Sequence, residues 1–539
     1  FRSTRAATFG RRSMYLRFRP TFLPLIVLAT HSPGFAQQND VPLQRDIYMD
    51  VERNAAKLDA RIHSGLKPLI ESRADLTNVM GHRVDSSRYY YWVTEKIFKE
   101  HLFIVDEGEF HLTVDPLIHV EYGYDPGDRT AYSDTNQYVV NTRGFWIAGN
   151  ITKKISFQTM FHENLAVVQQ YLFLGALENG VLPGQGRVKF RSGRKLDFGW
   201  SQANLSYSPT AWLNIQFGHG KHFVGHGYRS ILLSDNALNT PYLQFSVLPT
   251  NKRWQYTTWH NKLMHGVTKY DRLPTGESSE VLYYWMRGRS NHLSVDLGRA
   301  QIGLFESTMF ETIDEDGVKP FDPLELNPVI GVNTLVNGFG KADKNLVGLD
   351  LRVKATNKAY VYGQFATDGP ERYAWQAGVR VFDLVRKDLN VQLEYNTATP
   401  FMYMGSPARQ AYMHAGQAMA HPLGTAFNEV VGIVDVGFGR YWLQGKVNVA
   451  NFQRGMDPVY NDGTSLNEPD VEVPSPEGPV AFDLFNLDVN ASYLINPNTN
   501  LRFVIGCSRR DLPRNVDNLQ STYIYVALRT SLFNRYYDI

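Results

Sequence analysis

The run Val347-Gly348-Leu349-Asp350-Leu351-Arg352-Val353-Lys354, then Ala355-Thr356-Asn357-Lys358, then Ala359-Tyr360-Val361-Tyr362-Gly363-Gln364-Phe365-Ala366, decides the fold. In its first half Val347, Leu349, Leu351 and Val353 share one side, and Gly348, Asp350, Arg352 and Lys354 the other. In its second half Ala359, Val361, Gly363 and Phe365 alternate with Tyr360, Tyr362, Gln364 and Ala366. A side-chain period of two marks a strand with one apolar and one polar face. The polar tetrapeptide between the halves reads as a tight turn. The same pattern recurs along much of the chain in runs of about ten residues, which predicts an all-β fold: a transmembrane antiparallel β-barrel of the outer-membrane kind.

Composition agrees with that solvent. The chain has 539 residues and is 43% hydrophobic. Beyond residue 36 no stretch approaches the roughly 18 apolar residues of a spanning helix. Half of each barrel strand is polar, so a barrel needs no such run. The 30 Tyr and 31 Phe suit the aromatic girdles of a barrel at its two membrane interfaces. A net charge of +2 gives no field that would argue for nucleic acid as a partner. Cys507 is the single cysteine, which excludes an internal disulfide and a cysteine-based redox or metal site.

Residues 1–36 read as upstream residues plus a signal peptide. Met14 suits an initiator, Arg17 and Arg19 a basic start, Phe22 to Ala29 a short apolar core, and Gly34-Phe35-Ala36 a cleavage site, with Gln37 as the first mature residue. Residues 37–105 read as an N-terminal helical segment on the periplasmic side. Within 43–72, Ile47, Val51, Leu58 and Ile62 recur at near-helical spacing behind Asp46 as N-cap, until Gly65 and Pro68 interrupt. A second helix is expected over 86–99. Such helices would cap or plug the periplasmic end. Residues 106–539 are assigned to the barrel.

Expected hairpins join Phe145–Asn150 to Ile155–Phe161, Gln202–Tyr207 to Ala211–Phe217, Gln376–Phe382 to Val391–Tyr395, and Asn486–Tyr493 to Leu501–Ile505. Asp115-Pro116, inside the first strand, marks a bulge or an edge. Longer connections are expected over 184–196, 249–279, 310–341, 400–428 and 455–479. The remaining residues suffice for about 16 to 18 strands. Near the end, Ile524, Val526, Leu528, Thr530 and Leu532 alternate with Tyr523, Tyr525, Ala527, Arg529 and Ser531, an amphipathic last strand.

The segment Gly218-His219-Gly220-Lys221-His222-Phe223-Val224-Gly225-His226-Gly227-Tyr228-Arg229-Ser230-Ile231-Leu232-Leu233-Ser234-Asp235-Asn236 resembles the capsule-assembly Wzi family, and within it the RemB-like proteins of gliding bacteria. Further pieces follow in the same order: Asn141-Thr142-Arg143-Gly144, Val181-Leu182-Pro183-Gly184, Phe305-Glu306-Ser307, Leu326-Asn327-Pro328, Tyr362-Gly363-Gln364-Phe365, His421-Pro422-Leu423-Gly424 and the tail Leu532 to Asp538. His222 stands where the pattern has Asn, and His226 where it has Asp. The resemblance implies a barrel of about 18 strands with periplasmic helices. It implies a non-enzymatic role in binding or organising surface or capsular polysaccharide in the cell outer membrane. It also implies a link to gliding motility or adhesion, with motility or secretion proteins as partners beside glycan and lipid.

A sugar offers apolar faces and a rim of hydroxyls, and acidic sugars add a demand for Arg or Lys. Lys221, Tyr228, Arg229, Asp235 and Asn236 supply such a mixture, as do Trp254, Tyr256, Trp259 and His260. The structural alternative places the aromatics in the girdles and pairs Arg229 with Asp235 in the lumen. Gly218 to Gly227 lacks the following helix that a phosphate-binding loop needs. His219, His222 and His226 have no accompanying carboxylate spacing for a metal, and no cofactor is expected. Ser234, Asp235 and His226 would be the residues of an outer-membrane hydrolase, but no nucleophile elbow surrounds Ser234. Glu306 and Glu311 pair only along the sequence. A porin-like diffusion channel is the main alternative, resting on inward polar residues such as Asp350, Arg352 and Lys354.

Overall fold

A computed structural model describes residues 38–74, 91–268, 283–310, 312–314, 317–339, 343–405, 411–466, 473–513 and 520–539. The leader and its cleavage site lie outside them, as does the part of the second helical candidate before residue 91.

Eighteen strands form one closed antiparallel barrel. They are β1 (Phe110–Tyr124), β2 (Tyr138–Thr152), β3 (Ile155–Ala166), β4 (Lys195–Thr210), β5 (Leu213–Gly220), β6 (Thr240–Val247), β7 (Trp254–Thr268), β8 (Tyr283–Asp296) and β9 (Ala300–Phe310). The second half comprises β10 (Lys344–Thr356), β11 (Ala359–Gly369), β12 (Arg372–Val381), β13 (Leu389–Ala398), β14 (Phe427–Phe438), β15 (Tyr441–Arg454), β16 (Val480–Asn496), β17 (Leu501–Asp511) and β18 (Ser521–Thr530). Each pairs with its sequence neighbour, and β18 closes on β1 through Ile524 opposite Tyr124 to Arg529 opposite His119. Closure leaves no unpaired edge, the condition for a sheet to sit in lipid.

The expected parity holds at the stretch that opened the analysis. Leu349, Leu351, Val361 and Phe365 are exposed on the outer wall, whereas Asp350, Arg352, Lys354 and Gln364 are buried inside. Short turns at 153–154, 211–212, 297–299, 357–358 and 439–440 gather at one end. Longer connections, among them 167–194, 221–239 and 399–426, lie at the other; the exception is Pro370-Glu371 between β11 and β12. In barrels of this type the short turns face the periplasm.

Of two expected features, one is narrowed to one of its alternatives and one comes out differently. Asp115-Pro116 is no bulge, since β1 keeps register with β2 through Pro116 opposite Phe145. It marks an edge instead: Phe103–Glu107 pairs with β1 up to Val114, and β18 takes over at His119. The missing Pro116 N–H falls in the gap between those neighbours. The loop expected over 249–279 is interrupted by β7. On that strand the usual polarity is reversed, with Trp259 and Leu263 inside an apolar lumenal cluster and His260 and Lys262 on the outer parity, so the alternation did not mark it.

The lumen is filled by the chain itself. Residues 38–74 enter at the turn end. Their helix α1 (Arg45–Ala55) is capped by the Gln44 side chain, with Asp46 in its first turn rather than at the cap. It ends well before residue 72, and Leu66–Lys67 then pairs with Phe223–Val224 of the β5–β6 connection. Ile47, Tyr48, Val51 and Ala55 pack with Leu117, Trp146, Met160 and Trp200 of the wall. Large apolar side chains so buried contribute roughly 1.5–3 kcal/mol each. At the loop end Met402, Tyr403, Met404, Tyr412 and Met413 form a second cluster with Leu232, Trp259 and Phe305.

Candidate functional site

Lys221 to Asn239, the connection between β5 and β6, runs through the middle of the lumen. Two backbone features let it thread there. Gly225 adopts a positive φ of 131°, and a Cβ on it would collide with the Gln364 amide nitrogen. Its N–H donates to Gly65 O at 2.7 Å, tying the segment to the N-terminal plug.

From there the wall takes hold of the backbone. The Glu394 carboxylate accepts from the N–H groups of Tyr228 (2.7 Å) and Arg229 (3.0 Å). It also receives the Tyr362 hydroxyl at 2.8 Å. Gln364 accepts from the Ile231 N–H and donates to Val224 O. Because these groups are cut off from water, leaving any of them unpaired would cost its full desolvation.

Arg229 is the electrostatic centre. It is 1% exposed and sits 3.0 Å from Glu429 and 3.1 Å from Asp538. Burial works against its charge, but Asp538 and Glu429 outweigh that and hold the guanidinium above its ordinary value. Asp538 also receives Lys446 at 2.9 Å and the Tyr228 hydroxyl at 2.8 Å. Burial alone would raise its carboxyl; Arg229 and Lys446 keep it well below the usual carboxylate range. His421 approaches the second oxygen of Glu429 at 2.6 Å. The result is a buried network joining the central segment, the wall and the tail 531–539, and Arg229 pairs with Glu429 and Asp538 rather than with Asp235.

The remaining candidates occupy several environments. Lys221 donates to the carbonyls of Gly184 (2.6 Å) and Asp235 (2.8 Å), and burial pushes its amine down to about 8. Asp235 accepts from the Tyr536 hydroxyl (2.6 Å) and the Asn534 amide (2.9 Å). Asn236 donates to Ala418 O at 3.1 Å. Trp259 is fully buried and stacks on His222 at 4.9 Å. Trp254 is exposed at the turn end of β7, and the Tyr256 hydroxyl lies on the outer wall, bonded to Pro328 O. The structure therefore brings together Lys221, Tyr228, Arg229, Asp235 and Asn236, leaves Trp254 and Tyr256 outside, and seats Trp259 in the apolar cluster.

Glu394, Glu429 and Asp538 were not singled out from the sequence. The signal for Glu394 was available, a carboxylate on the inward parity of the expected strand Val391–Tyr395; the strand Phe427–Phe438 that carries Glu429 was not among the expected hairpins. Asp538 lies beyond the last strand, where parity says nothing.

The histidines and the serine have ordinary partners. His222 bonds Gln244 at 2.9 Å, His219 bonds Ser201 O at 3.0 Å, and His226 contacts Asp350 at 3.2 Å. Ser234 donates to Ala420 O, not to His226. Among the described residues no cluster of three His, Cys, Asp or Glu side chains could hold a metal.

Beside the network lies a polar cavity of about 200 Å³, bounded by Arg45, Asp46, Lys446, Arg502, Arg529 and Tyr536. Cations and tyrosine hydroxyls in one recess can receive hydroxyl or carboxylate groups.

No protein-family model and no curated protein matches the chain. Among solved structures it is similar to Wzi, an outer-membrane protein involved in group 1 capsule assembly in Escherichia coli and a carbohydrate-binding β-barrel. The identity is 12%, over 91% of this chain and 100% of that one, with a TM-score of 0.54. It also resembles Pseudomonas aeruginosa OprD (9% identity, 79% and 97% covered, TM-score 0.42) and Acinetobacter baumannii OccAB2 (9%, 78% and 98%, 0.41), both too distant to bear on the argument. The fold is that of an outer-membrane barrel of the Wzi type.

Proposed function

We propose that this protein is a plugged, non-enzymatic barrel of the cell outer membrane that binds or organises surface polysaccharide. One observation carries the reading: the inward polar residues that would line a diffusion path are bound to the chain's own lumenal segments. Arg352 donates to Ser64 and to Ile62 O, Lys354 to Ala60 O, and Asp350 meets His226. The carbohydrate-binding Wzi shares the fold and lends the ligand class. Ser234 and His226 do not meet, which removes the support for a hydrolase.

In this reading Lys221, Arg229, Asp235, Asn236 and Trp259 are positioning residues. They fix the segments from which the loop face is built, and Tyr228 and the adjoining cavity offer hydroxyl and cationic groups to a sugar. Tyr256 and Trp254 would act through the wall. Gliding motility or adhesion would follow from holding glycan at the surface.

Purified protein tests both halves. Acidic capsular polysaccharide should be retained on the immobilised barrel, and planar bilayers should show no steady conductance. A steady open pore without glycan retention would replace this reading by the diffusion channel. A deletion strain that moves and adheres normally would remove the motility part alone.

A further inference from the structure

On the outer wall of β7 to β10 the apolar band is broken. Ile302 and Leu304 of β9 are exposed there, and the next residues on the same parity are Glu306, Thr308 and Phe310, all buried. Opposite parity carries Phe305 and Met309 into the lumenal cluster, so Glu306 faces outward. Its cross-strand neighbour Asn291 shares that face, and with it Arg289 and Arg287. Arg289 lies 3.8 Å from Glu306, and both side chains are at most 1% exposed. A charged pair on the outside of a barrel is buried because something covers it.

The cover is the connection between β9 and β10, residues 318–339. Arg289 donates to Leu324 O at 2.9 Å. Glu306 accepts from Gly331 N (2.9 Å) and from the Thr334 hydroxyl (2.8 Å). Asn345, also on the outer parity, donates to Gly338 O at 2.8 Å. Arg287 pairs with Glu325 at 2.6 Å. These contacts use polar groups on the wall side of the segment. The far side exposes Phe321 (53%), Leu326 (59%), Val329 (56%), Leu335 (87%) and Val336 (54%). From Pro323 to Phe339 the one charged residue is Glu325, and it is turned to Arg287.

We propose that residues 318–339 form a clasp lying against the outside of the barrel, with its exposed apolar side chains in the hydrocarbon of the bilayer. A wall facing water would need no cover over Arg289 and Glu306; a wall facing lipid does, because bare charges on the lipid face of a barrel are destabilising, the cation more than the carboxylate. The apolar surface of the clasp adjoins Ile302, Leu304 and Leu349 of the lipid-facing band, which makes lipid the occupant. The inference rests on the membrane-barrel reading and extends it to a segment outside the strands.

Spin labels test it in the full-length protein reconstituted into phosphatidylcholine vesicles. Cys507→Ala provides the background, and Leu335→Cys, Val336→Cys, Leu349→Cys and Val459→Cys carry the label one at a time. Leu349 is the lipid reference; Val459, exposed in the β15–β16 connection, is the aqueous one. Collision with oxygen relative to a water-soluble nickel chelate should be several-fold higher at Leu335 and Val336 than at Val459, matching Leu349. If Leu349 reports lipid but Leu335 and Val336 report water, or are shielded from both reagents, the clasp is overturned and the barrel stands. If Leu349 also reports water, both fall.

Discussion

Two polar regions of the barrel wall are covered by the chain in different ways. Inside, at the turn end, Arg352, Arg380 and Asp435 meet residues 38–74. Outside, on β8 to β10, Arg289, Glu306 and Asn345 meet residues 318–339. The inner cover lends the wall the carbonyls of Ala60 and Ile62, but it also sets its own charged side chains on it: Arg45 to Asp435 at 3.0 Å, Arg53 to Asp388 at 2.9 Å, Glu52 to Arg380. The outer cover answers largely with its backbone, through Leu324 O, Gly331 N and Gly338 O. Backbone pairing frees the side chains of the outer segment to be apolar, whereas the inner segment spends its charges on the wall. The contrast predicts that charge removal injures the inner cover far more than the outer one.

The largest effect is expected at Glu52. It is 3% exposed and lies between Lys67, at 2.6 Å, and Arg380. Glu52→Leu leaves two buried cations without a carboxylate, a loss of about 3–5 kcal/mol. Urea unfolding in detergent micelles reads it as a lowered midpoint. The triple variant Glu52→Leu, Lys67→Met, Arg380→Met should recover most of that loss, because it removes the stranded charges too. A Glu52→Leu midpoint equal to the parent would mean the inner cover does not depend on charge.

Much of this architecture was legible beforehand. Parity along 347–366 gave the faces of β10 and β11, and the expected hairpin of Asn486–Tyr493 with Leu501–Ile505 falls on β16 and β17. What parity does not report is the medium each face meets. Glu306 follows Leu304 on an outward-facing row, and only the covering segment, which begins twelve residues later in the chain, explains a carboxylate there. Reversed polarity hid β7 for the same reason: Trp259 is inside because the loop end of the lumen is apolar, and His260 and Lys262 are on the outer parity beside the clasp. Candidate residues 221–236 were legible as a group, since they are contiguous. Their partners Glu394, Glu429 and Asp538 come from distant strands and the tail, and pairwise contacts of that range are not encoded in local pattern.

Asp40 sharpens the comparison through pH. It accepts from Gln216 at 2.9 Å and from Asn204, and burial raises its carboxyl to about 7 despite those bonds. Its folded value exceeds the unfolded one of about 4. The proton is therefore held more tightly in the docked state, and stabilisation is full below about pH 4 and lost as pH rises through about 7. Unfolding midpoints should fall across that window, by a few kcal/mol at most. Asp40→Asn should flatten the slope, and an unchanged slope in that variant would assign the pH dependence elsewhere.

At the outer cover Arg287→Met should cost less. The Arg287 side chain is 33% exposed while its partner Glu325 is 6% exposed, so solvent screens part of the pair. About 1–2 kcal/mol is expected, well short of the Glu52→Leu loss. A loss as large as that of Glu52→Leu would show that both covers are held by charge, and the distinction drawn between them would disappear.

The smallest effect separates the clasp from the barrel. The Tyr256 hydroxyl reaches the outer cover at Pro328 O and also bonds Asn291 at 3.2 Å. Tyr256→Phe removes about 0.5–1.5 kcal/mol of hydrogen bonding and leaves the ring in place. Because the strand ladder is untouched, the global unfolding midpoint should move little. Amide exchange should instead quicken locally at Val329 to Thr334, where the clasp opens from the wall, with β8 and β9 still protected. If exchange rises equally in those strands, the segment is part of the barrel's cooperative unit; if it rises in the clasp alone, the cover opens by itself, and a backbone-held surface on the lipid side is the weaker of the two seals.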